Sequence, residues 1–279
     1  MPGIPSRFVD LDLTKDAHYV LGDTTPCTAG GFDLFTLPGA LFYEENLPLY
    51  PESDWPQLVE QMDANGGTGL DRLVTKIKNQ KQEGSCVGNC WSQMCEILQA
   101  MQFGLENVVL TSAMSLYRQI GSSAQSGANI DDARVAMRDV GILPADNDAN
   151  KARGFVTHPD TGWSVRLPEN WQAFAANLRI TENYIVRSVQ GLVSALINGH
   201  PVGVGRAGHS ICYCRPVYDG RNLLVRYANS WGGDWSDAGF GYDSLRYIQS
   251  SAGYAIAARS LTVPQWMAEK GIQPPTLAT

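Results

Sequence analysis

Cys86 stands where a side chain could act as a nucleophile. It follows Gly84 and Ser85 and begins a run of residues with helical periodicity, so we expect it in the first turn of a helix. The unpaired N–H groups and the positive dipole end of such a turn stabilise a thiolate over a thiol. Gly84 would let the backbone of a bound molecule come close. The pattern therefore predicts nucleophilic chemistry at Cys86.

Three further residues could complete this chemistry. Gln80 stands six residues before Cys86, and its amide could donate to the oxygen that becomes negative during acyl transfer. His209 follows a glycine, and Asn229 begins the run Asn-Ser-Trp-Gly. An imidazole can take up and return a proton, and an asparagine side chain can hold the imidazole in place. Together these residue types indicate acyl transfer through a thiolate.

Three motifs, Gln-x5-Cys at 80–86, Gly-His at 208–209 and Asn-Ser-Trp-Gly at 229–232, occur in this order. Together they resemble the motifs of the papain-like (C1) cysteine peptidases. The resemblance is closer to the bacterial and phage branch than to plant or lysosomal members. The similarity covers residues 53–262 and includes the lead-in Leu-Val-Thr-Lys-Ile-Lys-Asn-Gln that ends at Gln80. The resemblance implies an α+β, two-lobed fold, with a helical left lobe and an antiparallel, β-barrel-like right lobe.

The resemblance also implies a role for each motif residue. Cys86 would attack a peptide carbonyl, His209 would pair with the thiolate, and Asn229 would orient the imidazole. Gln80 would hold the oxyanion together with the backbone N–H of Cys86. The residues that the resemblance places along the substrate cleft are Gly127, Ala128, Ile130, Gly208 and Trp231, the last of which would also shield the His–Asn hydrogen bond.

Cys90 is the alternative nucleophile, because the plant and lysosomal members show a Cys-Trp pair like the one that begins at Cys90. Six residues before Cys90, however, stands Gly84, which has no side chain that could donate to an oxyanion. We therefore expect Cys86 to attack and Cys90 to be a buried neighbour one helical turn away.

Metal and other cofactors are not expected. A zinc site could be imagined from paired cysteines and a histidine, but a Cys-x-Cys pair on one strand gives poor tetrahedral geometry. The residues considered for that site are Cys86, Cys90, Cys212, Cys214 and His209.

The composition excludes several classes of protein. The chain has 279 residues, 44% hydrophobic and 18% charged, which is enough apolar material for a buried core. Its net charge is −7 and it has no basic run, so nucleic acid and anionic membranes are not expected partners. No apolar stretch could span a membrane and no signal peptide is recognisable. We expect a cytoplasmic location or association with a phage particle, and peptide or protein substrates.

The elements that must position these residues are mainly helices in the first half of the chain and mainly strands in the second half. Helices are predicted at 56–69, 86–103, 111–120, 130–140 and 189–197, and strands at 73–77, 184–188, 202–204, 209–214, 223–228 and 255–261. Helices before strands indicate an α+β chain in two lobes. We place the helical lobe at about 80–180 and the β lobe at about 181–262, between an N-terminal extension, 1–52, and a loose C-terminal tail, 263–279.

Two questions stay open at this point. The extension 1–52 could be a decorating arm, or it could lie in the cleft and keep an enzyme latent, since an extended segment suits a groove. The leading function is a cysteine endopeptidase. The alternatives are an amidase or acyltransferase that acts on cell-wall or conjugated peptides, and a catalytically silent structural or binding homologue.

Overall fold

The computed structural model describes residues 22–23, 40–64, 67–206, 208–251 and 254–271. Within these ranges the helices are α1 (Tyr43–Asn46), α2 (Trp55–Ala64), α3 (Cys86–Phe103), α4 (Ala113–Ile120), α5 (Ile130–Asp139), α6 (Asp148–Ala152), α7 (Trp171–Ala175), α8 (Val189–Ile197), α9 (Leu245–Ser251) and α10 (Gln265–Glu269). The strands are β1 (Ile180–Val186), β2 (Val202–Arg206), β3 (His209–Tyr218), β4 (Leu223–Ala228), β5 (Phe240–Ser244) and β6 (Tyr254–Leu261). None of the described helices is long and apolar enough to cross a membrane.

Helix α3 lies at the centre of the molecule. It spans the residues that the sequence predicts and ends where Gly104 takes a φ of 87°, a conformation that glycine adopts at little cost. Every residue of α3 except Met101 is buried. A helix buried around its whole circumference needs neighbours on all sides, and α3 packs against α4 and α5 on one side and against β2, β3 and β6 on the other.

The strands form one six-stranded antiparallel sheet in the order β1-β6-β2-β3-β4-β5. The α+β class and the helical and β lobes agree with the sequence prediction, but the predicted barrel-like closure does not occur. The edge strands β1 and β5 do not pair with each other in the described part of the chain. The edge of β1 instead bridges to the N-terminal segment, through Phe42 and Ile185.

Two local predictions are wrong. Residues 73–77 were expected to form a strand, but Leu70–Leu73 form a short 3₁₀ turn, and the residues up to 77 belong to no strand. The apolar side chains of this run pack on the core without backbone pairing to the sheet. The described part of the predicted loose tail, up to Gly271, contains α10, and its Met267 is buried.

Residues 40–52 of the predicted extension pack against the β lobe. Tyr43 is fully buried, and Glu44 accepts a hydrogen bond from the backbone N–H of Arg187 at 2.8 Å. The backbone N–H of Tyr50 donates to the Ser194 hydroxyl at 2.9 Å. The extension as a unit stays a prediction, but these residues are attached to the folded domain.

Acidification should destabilise the fold through His200, whose Nδ1 lies 3.1 Å from the Tyr43 hydroxyl. Burial and the charge of Arg259 lower the pKa of His200 from 6.5 to about 4, while the charge of Glu182 opposes this. The unfolded chain binds more protons between these values, so the free energy of unfolding falls as the pH drops from about 6.5 towards 4, by about 2 kcal/mol at pH 5. Urea unfolding of the wild type and of His200→Gln at pH 7 and pH 5 tests this, because the variant should lose less stability. Equal losses in the two proteins would contradict it.

Candidate active site

Cys86 lies at the first position of α3 and is fully buried. Burial raises the pKa of its thiol above the ordinary value, and the negative charge of Asp23 raises it further. Backbone hydrogen bonds from Ser210 and Gly22 oppose this rise. The sulfur therefore lies beside Ser210, the residue that follows His209. Because its pKa is raised, the buried side chain is a neutral thiol in this state of the molecule.

His209 begins β3, and Asn229 comes directly after β4. Because the two strands are neighbours, their ends place His209 Nε2 at 2.7 Å from Asn229 Oδ1. Burial and the charge of Arg206 lower the pKa of His209 to about 3, against the opposing effect of the Asn229 hydrogen bond. The other ring nitrogen, Nδ1, is buried and forms no hydrogen bond with a described residue. The imidazole is thus neutral and anchored through Nε2 alone.

Two tryptophans cover the imidazole. The ring of Trp231 stacks on that of His209 with centroids 4.6 Å apart and planes at 26°. Trp235 meets Trp231 edge to face at 5.3 Å. This aromatic cover keeps water from the hydrogen bond between the histidine and the asparagine, and exclusion of water strengthens such a bond.

Gln80 is held beside Asn229 by backbone pairing. The segment 78–80 runs antiparallel to the segment 230–232, with hydrogen bonds from Gln80 N to Ser230 O at 2.8 Å and from Gly232 N to Lys78 O at 2.9 Å. The bridge between Asn79 and Trp231 completes this pairing. The residue expected to donate to an oxyanion and the one that holds the imidazole are thereby fixed to each other.

The Ser230 hydroxyl sets the orientation of the Gln80 amide. It donates to Gln80 Oε1 at 2.6 Å, and Gln80 Nε2 donates to the Glu83 carbonyl at 2.8 Å. An amide nitrogen carries two N–H groups, and the donation to Glu83 uses one of them. Sequence reasoning did not predict this role of Ser230. The only available signal was its position next to Asn229.

A buried ion pair joins this segment to helix α3. Lys78 Nζ lies 2.6 Å from Glu96 Oε1 and donates to the Thr111 carbonyl at 2.8 Å. Both side chains of the pair are buried. The strand-like segment that carries Gln80 is therefore tied to the same helix that carries Cys86.

The N-terminal residues Gly22 and Asp23 lie between the two lobes and are buried. The Ala128 N–H donates to the Gly22 carbonyl at 2.7 Å, and the Asp23 N–H donates to the Gly208 carbonyl at 2.9 Å. Asp23 and Ala128 form a parallel bridge. A Cβ atom on Gly22 would overlap the carbonyl of Gly84, so only glycine fits there.

The other predicted site residues lie as follows. Gly127 is next to Gly22, since a Cβ on Gly127 would overlap the Gly22 carbonyl. Ile130 is the first residue of α5 and is fully buried. Cys90 donates to the Ile211 carbonyl at 3.1 Å, and burial raises its pKa to about 12. Cys90 therefore faces the sheet and is a buried neighbour, as expected.

The described cysteines, Cys86, Cys90, Cys95, Cys212 and Cys214, are buried free thiols. Among the described residues, no group of three histidine, cysteine or acidic side chains is placed to hold a metal ion.

Comparisons with known proteins identify the fold. No protein-family model matches this sequence, and no curated protein sequence matches it. Xylellain, a cysteine protease from Xylella fastidiosa, is structurally similar with a TM-score of 0.55 and 17% identity, over 86% of this chain and 98% of that chain. Procathepsin L2 from the larval midgut of Tenebrio molitor gives 0.61 and 16%, over 90% and 81%. Bromelain from Ananas comosus gives 0.51 and 15%, over 69% and 95%. The chain has the papain-like fold.

Breaking the buried ion pair should destabilise the protein strongly. Lys78→Met leaves the Glu96 carboxylate buried without its cation, which costs about 3–5 kcal/mol in comparable sites. Adding Glu96→Gln removes the charge and keeps an acceptor for the Thr111 N–H, now 2.7 Å from Glu96 Oε1. Urea unfolding at pH 7 should therefore show a large loss in Lys78→Met and partial recovery in the double variant. Additive losses would show that the two groups are not coupled.

Proposed function

We propose that this chain, built on the papain-like fold, is a cysteine endopeptidase that hydrolyses peptide bonds in peptide or protein substrates. The observation that carries the proposal is the 2.7 Å hydrogen bond between His209 Nε2 and Asn229 Oδ1, next to the helix end that bears Cys86. An asparagine on one imidazole nitrogen leaves the other nitrogen to exchange a proton with a nucleophile. The cysteine proteases among the structural neighbours support the same class of reaction.

The first half of the reaction forms an acyl-enzyme. Once substrate occupies the cleft, the Cys86 thiol gives its proton to His209 Nδ1, and the thiolate attacks the carbonyl carbon. The resulting oxyanion accepts hydrogen bonds from the Cys86 N–H and from Gln80 Nε2. When the C–N bond breaks, the imidazolium protonates the leaving amine and a thioester remains on Cys86.

The second half returns the enzyme to its starting state. Neutral His209 takes a proton from water, and the hydroxide attacks the thioester carbonyl. The C–S bond breaks, the carboxylic acid product leaves, and Cys86 recovers the proton from His209. Throughout, Asn229 accepts a hydrogen bond from His209 Nε2 and so keeps Nδ1 directed at the reacting atoms.

We also propose that Gly22 and Asp23 keep the described state latent. They hydrogen-bond to Ala128 on the helical side and to Gly208 on the β side, which are residues that a substrate backbone would use. The charge of Asp23 raises the pKa of the Cys86 thiol and so favours its neutral form, while the hydrogen bond from the Gly22 backbone opposes this. A segment in this position competes with substrate for the cleft.

Gly22→Val should activate the full-length chain. The added side chain overlaps the Gly84 carbonyl, and such overpacking costs about 1–3 kcal/mol, so the closed state should weaken and kcat/KM should rise about tenfold or more. The control is Gly233→Val, since a Cβ on Gly233 meets no atom within 4 Å. Hydrolysis of labelled casein by both variants measures the effect. Equal rates in Gly22→Val and wild type would reject latency, and the decorating-arm interpretation would then hold.

Cys86→Ala should abolish hydrolysis, by more than about 10³-fold as for other nucleophile deletions, while Cys90→Ala keeps it because Cys90 faces the sheet. Casein turnover is measured for each variant in the full chain and in the Gly22→Val background, and an epoxide inhibitor is mapped on the wild type by mass spectrometry. Activity retained in Cys86→Ala would transfer the role to Cys90. Labelling of Cys86 without casein cleavage would favour the amidase or acyltransferase, tested on peptidoglycan fragments, and absence of labelling would favour the silent homologue.

A further inference from the structure

A small polar cavity lies behind the His209–Asn229 pair, between α3 and the strands β3 and β4. Gln93 lines it from α3, Ser210 from β3, and Asn229 from the residue after β4. The cavity has a volume of about 10 Å³, which is about the space that one buried water molecule requires. The cavity therefore has room for one water.

Four polar side-chain atoms of residues that line this cavity lack strong hydrogen-bond partners. Gln93 Nε2 and Oε1 and Asn229 Nδ2 are buried and form no hydrogen bond with another described residue, and the Ser210 hydroxyl has only the Cys90 thiol as a partner. Ser210 lies beside the Cys90 thiol and lowers its pKa, but a thiol is only a weak hydrogen-bonding group. Buried polar groups in folded proteins are nearly always satisfied, by protein or by ordered water. Several unsatisfied polar atoms around one small cavity thus form a water-binding site.

We infer that this cavity binds one water molecule that links Gln93 to Asn229, and that Gln93 is thereby a positioning residue for His209; the catalytic part of this inference rests on the proposed function. The water accepts a hydrogen bond from Asn229 Nδ2 and forms its remaining hydrogen bonds with the Gln93 amide and the Ser210 hydroxyl. Donors and acceptors match, since water offers two of each.

The water between Gln93 and Asn229 affects His209 because the oxygen and the nitrogen of the Asn229 side-chain amide are both bound. Asn229 Oδ1 faces His209 Nε2 and also accepts a hydrogen bond from the Ser230 N–H at 2.8 Å. With Nδ2 bound to the water, both ends of the amide are held and rotation about its Cβ–Cγ bond is restricted. A chain of hydrogen bonds also polarises the amide, which makes Oδ1 a better acceptor for an imidazolium.

A crystal structure of the full-length chain at high resolution tests the water site directly. We expect a water within hydrogen-bond distance of Asn229 Nδ2 and of the Gln93 side chain, and its loss in Gln93→Leu. A wild-type cavity without water would overturn the inference. This readout does not depend on turnover, so it fails or succeeds independently of the proposed peptidase activity.

The positioning role is tested by Gln93→Leu against a matched control, Gln99→Leu, both in the full-length Gly22→Val chain. Gln99 is a buried amide on the same helix, but its hydrogen bonds, at 2.9 and 3.0 Å, go to the Val109 backbone. In Gln93→Leu we expect kcat to fall about tenfold, as for loss of a hydrogen bond to a charged group, with KM unchanged. Gln99→Leu should lower stability but leave kcat unchanged.

The pH profile separates positioning from folding. Iodoacetate is an anion that the His209 imidazolium attracts, so the rate of Cys86 alkylation by iodoacetate falls at high pH as the imidazolium deprotonates. In Gln93→Leu this fall should occur at lower pH, because the imidazolium is less well stabilised. Gln99→Leu should keep the parent profile. An unchanged kcat and profile in Gln93→Leu, or the same changes in Gln99→Leu, would overturn the positioning role. Alkylation reports on the Cys86–His209 pair even if no peptide is cleaved.

Discussion

Burial of helix α3 on all sides is the constraint from which the rest of the structure follows. A helix with almost no solvent-exposed residue can be stable only between two layers, so the α4–α5 side and the sheet must both pack on it. Its first residue then necessarily lies where the two layers meet. Cys86 is placed at the lobe boundary by this packing. β3, which contacts α3, brings His209 to the same end, and the neighbouring strand β4 leads into Asn229.

The polar residues of this buried helix connect it to neighbouring segments of the chain. Glu96 binds Lys78, Gln99 binds the Val109 backbone, and the Ser92 hydroxyl lies 2.7 Å from that of Thr111. Since each group would be costly if left unpaired, each contact fixes a neighbouring segment in one position. The segment 78–80 is in turn paired with 230–232, so the site is built on backbone pairing and not on freely moving loops.

The sequence predicted what local patterns determine and missed what depends on distant contacts. The bounds of α3 and β4 follow from the flanking glycines and from the periodicity of their own residues. The run 73–77 resembles a strand because Leu73, Val74 and Ile77 are apolar. Side chains that are buried without backbone pairing to a sheet give the same sequence pattern. β5 was missed because Gly239 and Gly241 indicated turns, whereas Gly241 lies within the strand and against the Tyr227 ring. The contacts of Gly22 and Asp23 run between backbone atoms, which carry no sequence signature, and the partners of Gln93 lie far along the chain.

The described residues among the first fifty contact the domain in the cleft, through Gly22 and Asp23, and on the β lobe, through Tyr43 and Tyr50. The covalent connection between these points gives the cleft-bound residues a high effective concentration. On the proposed latency, a single proteolytic cut between residues 23 and 40 would remove that advantage, and the cleft-bound segment would dissociate on dilution. The new chain end would remain anchored on the β lobe, so maturation by such a cut would be irreversible without disturbing the core.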